Sequence, residues 1–144
     1  MRIPAALAAC LMLITPVMAL AHDGVHILDA YARILPGSKT GAVYLIIENH
    51  EAGDEHLLSV ATDAARTAEI HESRVDANGM ASMPKIAGAL TIPAESSFEL
   101  KQDSDHIMLI GLTRKFKTGD ILTLTLTFGH AGVVKVEVPV NNSH

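Results

Sequence analysis

Residues 122–138 read LTLTLTFGHAGVVKVEV, and their alternation decides the fold. Leu122, Leu124, Leu126 and Phe128 alternate with Thr123, Thr125 and Thr127. Beyond the turn Gly129-His130-Ala131-Gly132, Val134, Val136 and Val138 alternate with Lys135 and Glu137. A period of two, apolar on one side and polar on the other, predicts two strands that each bury one face. Pro139 suits the end of an edge strand, because it cannot donate to a ladder.

The same pattern extends upstream. Gly41–Asn49 reads as a strand, stopped by the polar stretch His50–Glu55; His56–Ala61, Thr67–His71, Ser97–Lys101 and His106–Leu112 are further candidates. Asp76-Ala77-Asn78-Gly79, Pro93 and Lys117-Thr118-Gly119-Asp120 punctuate them. Helical periodicity nowhere persists beyond about two turns after residue 21. About seven to nine short strands in about 120 residues predict an all-β fold, an antiparallel Greek-key β-sandwich.

The N-terminus reads as a targeting segment. Arg2 precedes the apolar run Ile3–Met18, and Ala19-Leu20-Ala21 offers small residues at the −3 and −1 positions of a cleavage site. The run falls short of the roughly 20 apolar residues of a membrane span. Residues 1–21 are therefore predicted to be a signal peptide cleaved after Ala21, leaving 22–144 as a single exported, periplasmic domain. Leu7-Ala8-Ala9-Cys10 resembles a lipoprotein box, but the apolar run continues past it, which favours cleavage at Ala21.

Export removes the sole cysteine, Cys10. The mature chain then has no disulfide, no thiol nucleophile and no thiolate ligand, which excludes a blue-copper centre. Without Arg2 its ten cationic side chains face sixteen anionic ones, a net charge of −6 with His neutral. An acidic chain with no basic cluster is a poor nucleic-acid binder.

Three methionines remain after residue 21: Met80, Met83 and Met108. None lies in the long alternating strands where core methionines belong. Met80 and Met83 sit in the loop-like GMASMP stretch, and Met108 follows His106 by two residues, on the same face of a strand. His71 closes the strand TAEIH. His71, Met83, His106 and Met108 thus offer two imidazoles and two thioethers. Thioether sulfur selects Cu(I), whereas zinc sites ordinarily use thiolate, imidazole or carboxylate. Each residue alone has an ordinary structural explanation: His71 as a hydrogen-bonded strand end, Met108 as core, Met80 as a shield over a site. His50, His56 and His130 lie in or beside turns and read as solvated, as do Asp103 and Asp105.

The segments GAVYLIIENH, AEIHE, GMASM, TIPAESSFELK, DHIMLIGL, LTLTLTF and VEVPV together resemble the periplasmic copper chaperones called PCu(A)C. That resemblance implies a cupredoxin-like sandwich with a His…Met…His-x-Met copper motif, falling on His71, Met83, His106 and Met108. It implies a Cu(I) chaperone and not an enzyme, with the CuA centre of cytochrome c oxidase subunit II as recipient and a thioredoxin-like copper protein as possible assistant. A monomer free of membrane after cleavage is expected. The chain departs from the family at Glu72, where a methionine is common, and at AYAR (30–33), where a tryptophan is common. The metal-rich tail of some members is reduced to His144.

Other readings predict different chemistry. His22, once N-terminal, could chelate Cu(II) at a secondary site through its amine and imidazole, with His26 nearby, as copper monooxygenases do. A His/Met haem protein needs only two axial ligands, fewer than the four at hand. An exported adhesion module predicts no metal at all.

Overall fold

The computed structural model describes residues 24–144. The predicted signal peptide and His22 lie outside the described residues. The strands are β1 (Val25–Arg33), β2 (Thr40–Asn49), β3 (Glu55–Thr62), β4 (Ala65–His71), β5 (Arg74–Val75) and β6 (Ala81–Ser82). They continue with β7 (Leu90–Ile92), β8 (Ser96–Leu100), β9 (His106–Leu112), β10 (Ile121–Phe128) and β11 (Val133–Pro139).

The expected all-β antiparallel sandwich is what forms. One sheet runs β1-β2-β9-β4, with β8 also paired to β2; the second runs β11-β10-β3-β7; β5 and β6 make a small separate ribbon. β9 lies beside β2, and β10 beside β3, across long stretches of sequence, so the chain passes repeatedly between the layers in Greek-key fashion. β11 is an edge strand that ends at Pro139, as its missing N–H requires.

The two sheets hold nine strands, within the seven to nine expected, and the ribbon makes eleven among the described residues; four of these escaped the sequence reading. β1 escaped it because a bulge between Leu28 and Tyr31, with Asp29 at φ 50°, breaks the alternation of VHILDAYAR. β5, β6 and β7 are two or three residues long, too short to show a period.

Alternation sets the core. Leu122, Leu124, Leu126 and Phe128 of β10 are buried against Val43, Leu45 and Ile47 of β2 and Ile107 and Leu109 of β9, within one continuous apolar cluster. Each such aliphatic side chain contributes about 1.5–3 kcal/mol on full burial. The intervening residues of β2, β4 and β9 face outward, and that outer face carries the candidate site.

Two buried polar residues tie loops to this core. Asn49 shares its amide protons among the carbonyls of Gly53 (2.9 Å), Ile92 (3.1 Å) and Pro93 (3.1 Å), and its oxygen accepts the Glu51 N–H (2.9 Å). Glu55 is 1% exposed. Its carboxylate accepts the N–H groups of His56 (2.7 Å), His130 (3.0 Å) and Ala131 (2.8 Å), fixing the β10–β11 turn to the start of β3. Burial alone raises the Glu55 pKa, but these backbone donors outweigh it and hold the carboxyl below its ordinary range.

A depressed folded-state pKa contributes stability that is complete above the unfolded carboxylate value, about 4.3, and is lost as pH falls through the folded value. Glu55→Gln is expected to cost about 1.5–3 kcal/mol at pH 7, as befits hydrogen bonds to a charged acceptor. Urea denaturation should show this gap from wild type narrowing below about pH 4. A gap that stays constant down to pH 2 contradicts the assignment.

Candidate metal centre

β9 runs between β2 and β4, and their registers lay out the outer face as a grid. His106 pairs directly with His71, and Met108 pairs with Glu69 on one side and Ala42 on the other. Ile107 and Leu109, the alternate residues of β9, are fully buried. His106 and Met108 therefore share the outward face, with Met108 diagonal to His71. The His71 and His106 rings lie 5.8 Å apart, tilted by 43°. Met108 is partly buried on this face and does not belong to the core cluster.

Each imidazole has one nitrogen held by an oxygen acceptor. His106 Nδ1 lies 2.9 Å from the Ser104 carbonyl, and His71 Nε2 lies 3.1 Å from Glu69 Oε2. A carbonyl and an ionised carboxylate can only accept, so those nitrogens carry the protons. His106 Nε2 and His71 Nδ1 are left as lone-pair donors, an arrangement that suits metal-ligating histidines. Glu69 also receives Lys85 Nζ at 3.1 Å. The His71 hydrogen bond, followed by that from Lys85, holds the Glu69 carboxyl below its usual range.

Met83 reaches this end of the sheet through a long loop. Lys85 bridges to His71, the Glu72 N–H donates to the Pro84 carbonyl (2.9 Å), and Ile86 N–H donates to Ile70 O (2.8 Å). That register carries Met83 alongside the His71 end of β4, where it is half exposed. Met80 is more exposed still and stands at the turn of the β5–β6 ribbon.

Three features of the surroundings were not evident in the sequence. Asp105, read as solvated, accepts the Ser73 N–H at 3.1 Å and so ties the end of β4 to the entry of β9. Tyr44 of β2 is buried beside His106, with ring centroids 6.4 Å apart. Tyr31 continues the row at 5.1 Å from Tyr44, and His144 stacks on Tyr31 at 4.6 Å. The tail histidine thus joins the edge of this face, while His22 lies outside the described residues.

Residues 25–140 match the LpqE-like lipoprotein family. The chain belongs to that family. PCuAC domains, expected from the sequence, stand among the solved structures that this chain resembles. The fold agrees. The copper-bound PCuAC domain from PmoF2 superposes with a TM-score of 0.68 at 19% identity, covering 81% of this chain and 92% of that one. The Cu(I) form of DR1885 from Deinococcus radiodurans gives a TM-score of 0.68 at 28% identity, over 87% of this chain and 83% of its own. Its apo form gives 0.63 at 28% identity, over 99% and 96%. None of the curated proteins compared matches this sequence.

Asp105→Ala removes the acceptor that joins the two histidine-bearing strand ends. The expected result is faster hydrogen exchange at the Ser73 amide and a loss of about 1 kcal/mol of stability, as for a single net hydrogen bond. Unchanged Ser73 protection would show that the strand ends are held together without it.

Proposed function

We propose that this protein is an exported copper chaperone that binds Cu(I) through His71, Met83, His106 and Met108. The recipient proposed is the CuA centre of cytochrome c oxidase subunit II, with a thioredoxin-like copper protein assisting; the family resemblance supports that assignment. The observation that carries the metal site is the direct cross-strand pairing of His71 and His106, with Met108 beside them on the same outward face. The loop register that brings Met83 to the same rim supports the fourth ligand.

The donor set fits monovalent copper as cargo. Thioethers are soft and bind without releasing a proton, so only the two imidazoles make affinity fall with acid. Four neutral donors leave a bound Cu(I) site monocationic, which permits partial burial beside His106 and Tyr44. The exposed Met83 gives a partner direct access for ligand exchange. Family membership supports export, and cleavage after Ala21 predicts a secreted chain whose intact mass begins at His22. A lipidated Cys10 would give a different mass and overturn that boundary.

Anaerobic Cu(I) titration against a competing chelator tests the site. One Cu(I) per chain is expected. Met83→Leu or Met108→Leu should weaken binding by more than about tenfold, since even an outer-sphere partner is worth 10–100-fold. Because leucine conserves volume, the packing loss should stay below about 1.5 kcal/mol. If both variants keep wild-type affinity, the thioether assignment is wrong. Acidification should release the metal as protons compete for His71 and His106. Affinity flat from about pH 7 to pH 4 contradicts histidine ligation.

Peroxide supplies an independent check. Oxidation of the apo-protein should abolish Cu(I) binding, because a sulfoxide replaces the soft sulfur. Prior loading with copper should protect Met83 and Met108, as read by peptide mass spectrometry. Equal oxidation with and without copper removes both from the ligand set.

A further inference from the structure

Away from the His71–His106 pair, one other cluster among the described residues is compact enough to share a cation. His26, Glu48 and His50 have ligand atoms that all lie within 4.8 Å of one another. The two imidazole rings are 4.7 Å apart at a 53° tilt, and His50 Nε2 lies 3.0 Å from Glu48 Oε2.

The backbone imposes this convergence. His26 of β1 is the direct antiparallel partner of Glu48 of β2. The His50 N–H donates to the Gly24 carbonyl at 3.0 Å, which extends the ladder past the last residue of β2. Glu48 and His50, two residues apart, then project to the side that His26 faces. His26 and His50 are exposed and Glu48 is half-buried. An open cleft runs on from Glu48 and His50 to Glu95, Ser96 and Ser97, leaving room for water on a bound ion.

We propose that His26, Glu48 and His50 form a second metal site, which takes a divalent first-row cation, Cu(II) ahead of Zn(II). Two imidazoles and a carboxylate are borderline-to-hard donors, and the carboxylate offsets part of a double charge. For such N/O donors the divalent affinity order places Cu(II) above Zn(II). Cu(I) gains less here than from a thioether-bearing set. The two ends of the sheet therefore differ in softness, and each suits one oxidation state of the same element.

The sites are separable. Tyr44, whose ring is 6.4 Å from His106, lies on the same strand and outward face as Glu48. Four positions separate Tyr44 from Glu48, about 13 Å along an extended chain. Substitutions that far apart act independently.

The secreted chain is titrated with Cu(II), read by electron paramagnetic resonance and calorimetry, and in parallel with Zn(II). Wild type, Glu48→Gln and the double variant His26→Gln/His50→Gln are compared. Wild type should bind one Cu(II) with nitrogen hyperfine structure from two imidazoles, and Zn(II) more weakly at the same residues. Both variants should lose more than about tenfold in Cu(II) affinity, beyond the lower end of an outer-sphere loss. Their thermal midpoints and Cu(I) affinity should match wild type, which separates this site from the His71–His106 one whatever the Met83 and Met108 variants do. Wild-type Cu(II) affinity in the double variant or in Glu48→Gln overturns the site, and Zn(II) bound more tightly than Cu(II) overturns the metal preference.

Discussion

The outer face of the sandwich depends on the anchoring of a single strand. Ile107 and Leu109 hold β9 in the core, and a strand cannot bury both of its faces in a two-layer fold without losing its outward residues. A slip of one position would drive His106 and Met108 into the apolar interior and expose two fully buried aliphatics. Burying an unpartnered imidazole is costly, and the exposed pair forfeits its transfer energy as well, so the register is specified from both sides. With β9 pinned, its ladders to β2 and β4 fix everything else on the face. His71 must lie opposite His106, and Tyr44 must lie on the other flank.

The parts of this arrangement that were legible in the sequence are those with a local period. β10 and β11 alternate without interruption, and their apolar halves are the buried halves. His106 and Met108 could be placed on one face from their spacing alone, and the family resemblance named their companions. Contacts distant in sequence were not legible. Glu55 reaches Ala131 and Asn49 reaches Pro93, and nothing near either residue announces a buried clamp. Asp105 looked like a turn carboxylate because its partner, Ser73, lies on another strand. His50 is exposed, as expected, but its place in a cluster was not legible. Its spacing from Glu48 was visible, but the bulged β1 that brings His26 to them was not.

Two donor sets of different chemistry share one sheet face because β2 runs the length of it. At one end, Tyr44 backs the imidazole–thioether grouping; at the other, Glu48 supplies an anionic oxygen between two histidines. In the two proposed sites, softness and charge would sort the cargo without a thiolate among the described residues. A charged carboxylate does stand near the His71 end as well. Glu69, however, is engaged twice, by His71 and by Lys85, and the Lys85 ammonium balances its charge. It orients an imidazole and leaves the proposed ligand set neutral.

The proposed Cu(I) ligands also divide by rigidity. His106 is buried, hydrogen-bonded through Nδ1 and flanked by Tyr44, and His71 is fixed by the ladder and by Glu69. The Met83 side chain has no such support: it stands half exposed between the β5–β6 ribbon, where Ser82 pairs with Arg74, and the backbone bonds that tie the following residues to β4. A site of this kind keeps its nitrogen half preorganised in the sheet while one sulfur can swing away at the cost of little more than its own contacts. Transfer to another protein demands that asymmetry. A cage rigid on every side would hold copper too tightly to yield it ligand by ligand, whereas a wholly mobile set would lose it to solvent. In the proposed site the strand would supply retention and the loop release, a partition that follows from which residues the core could anchor.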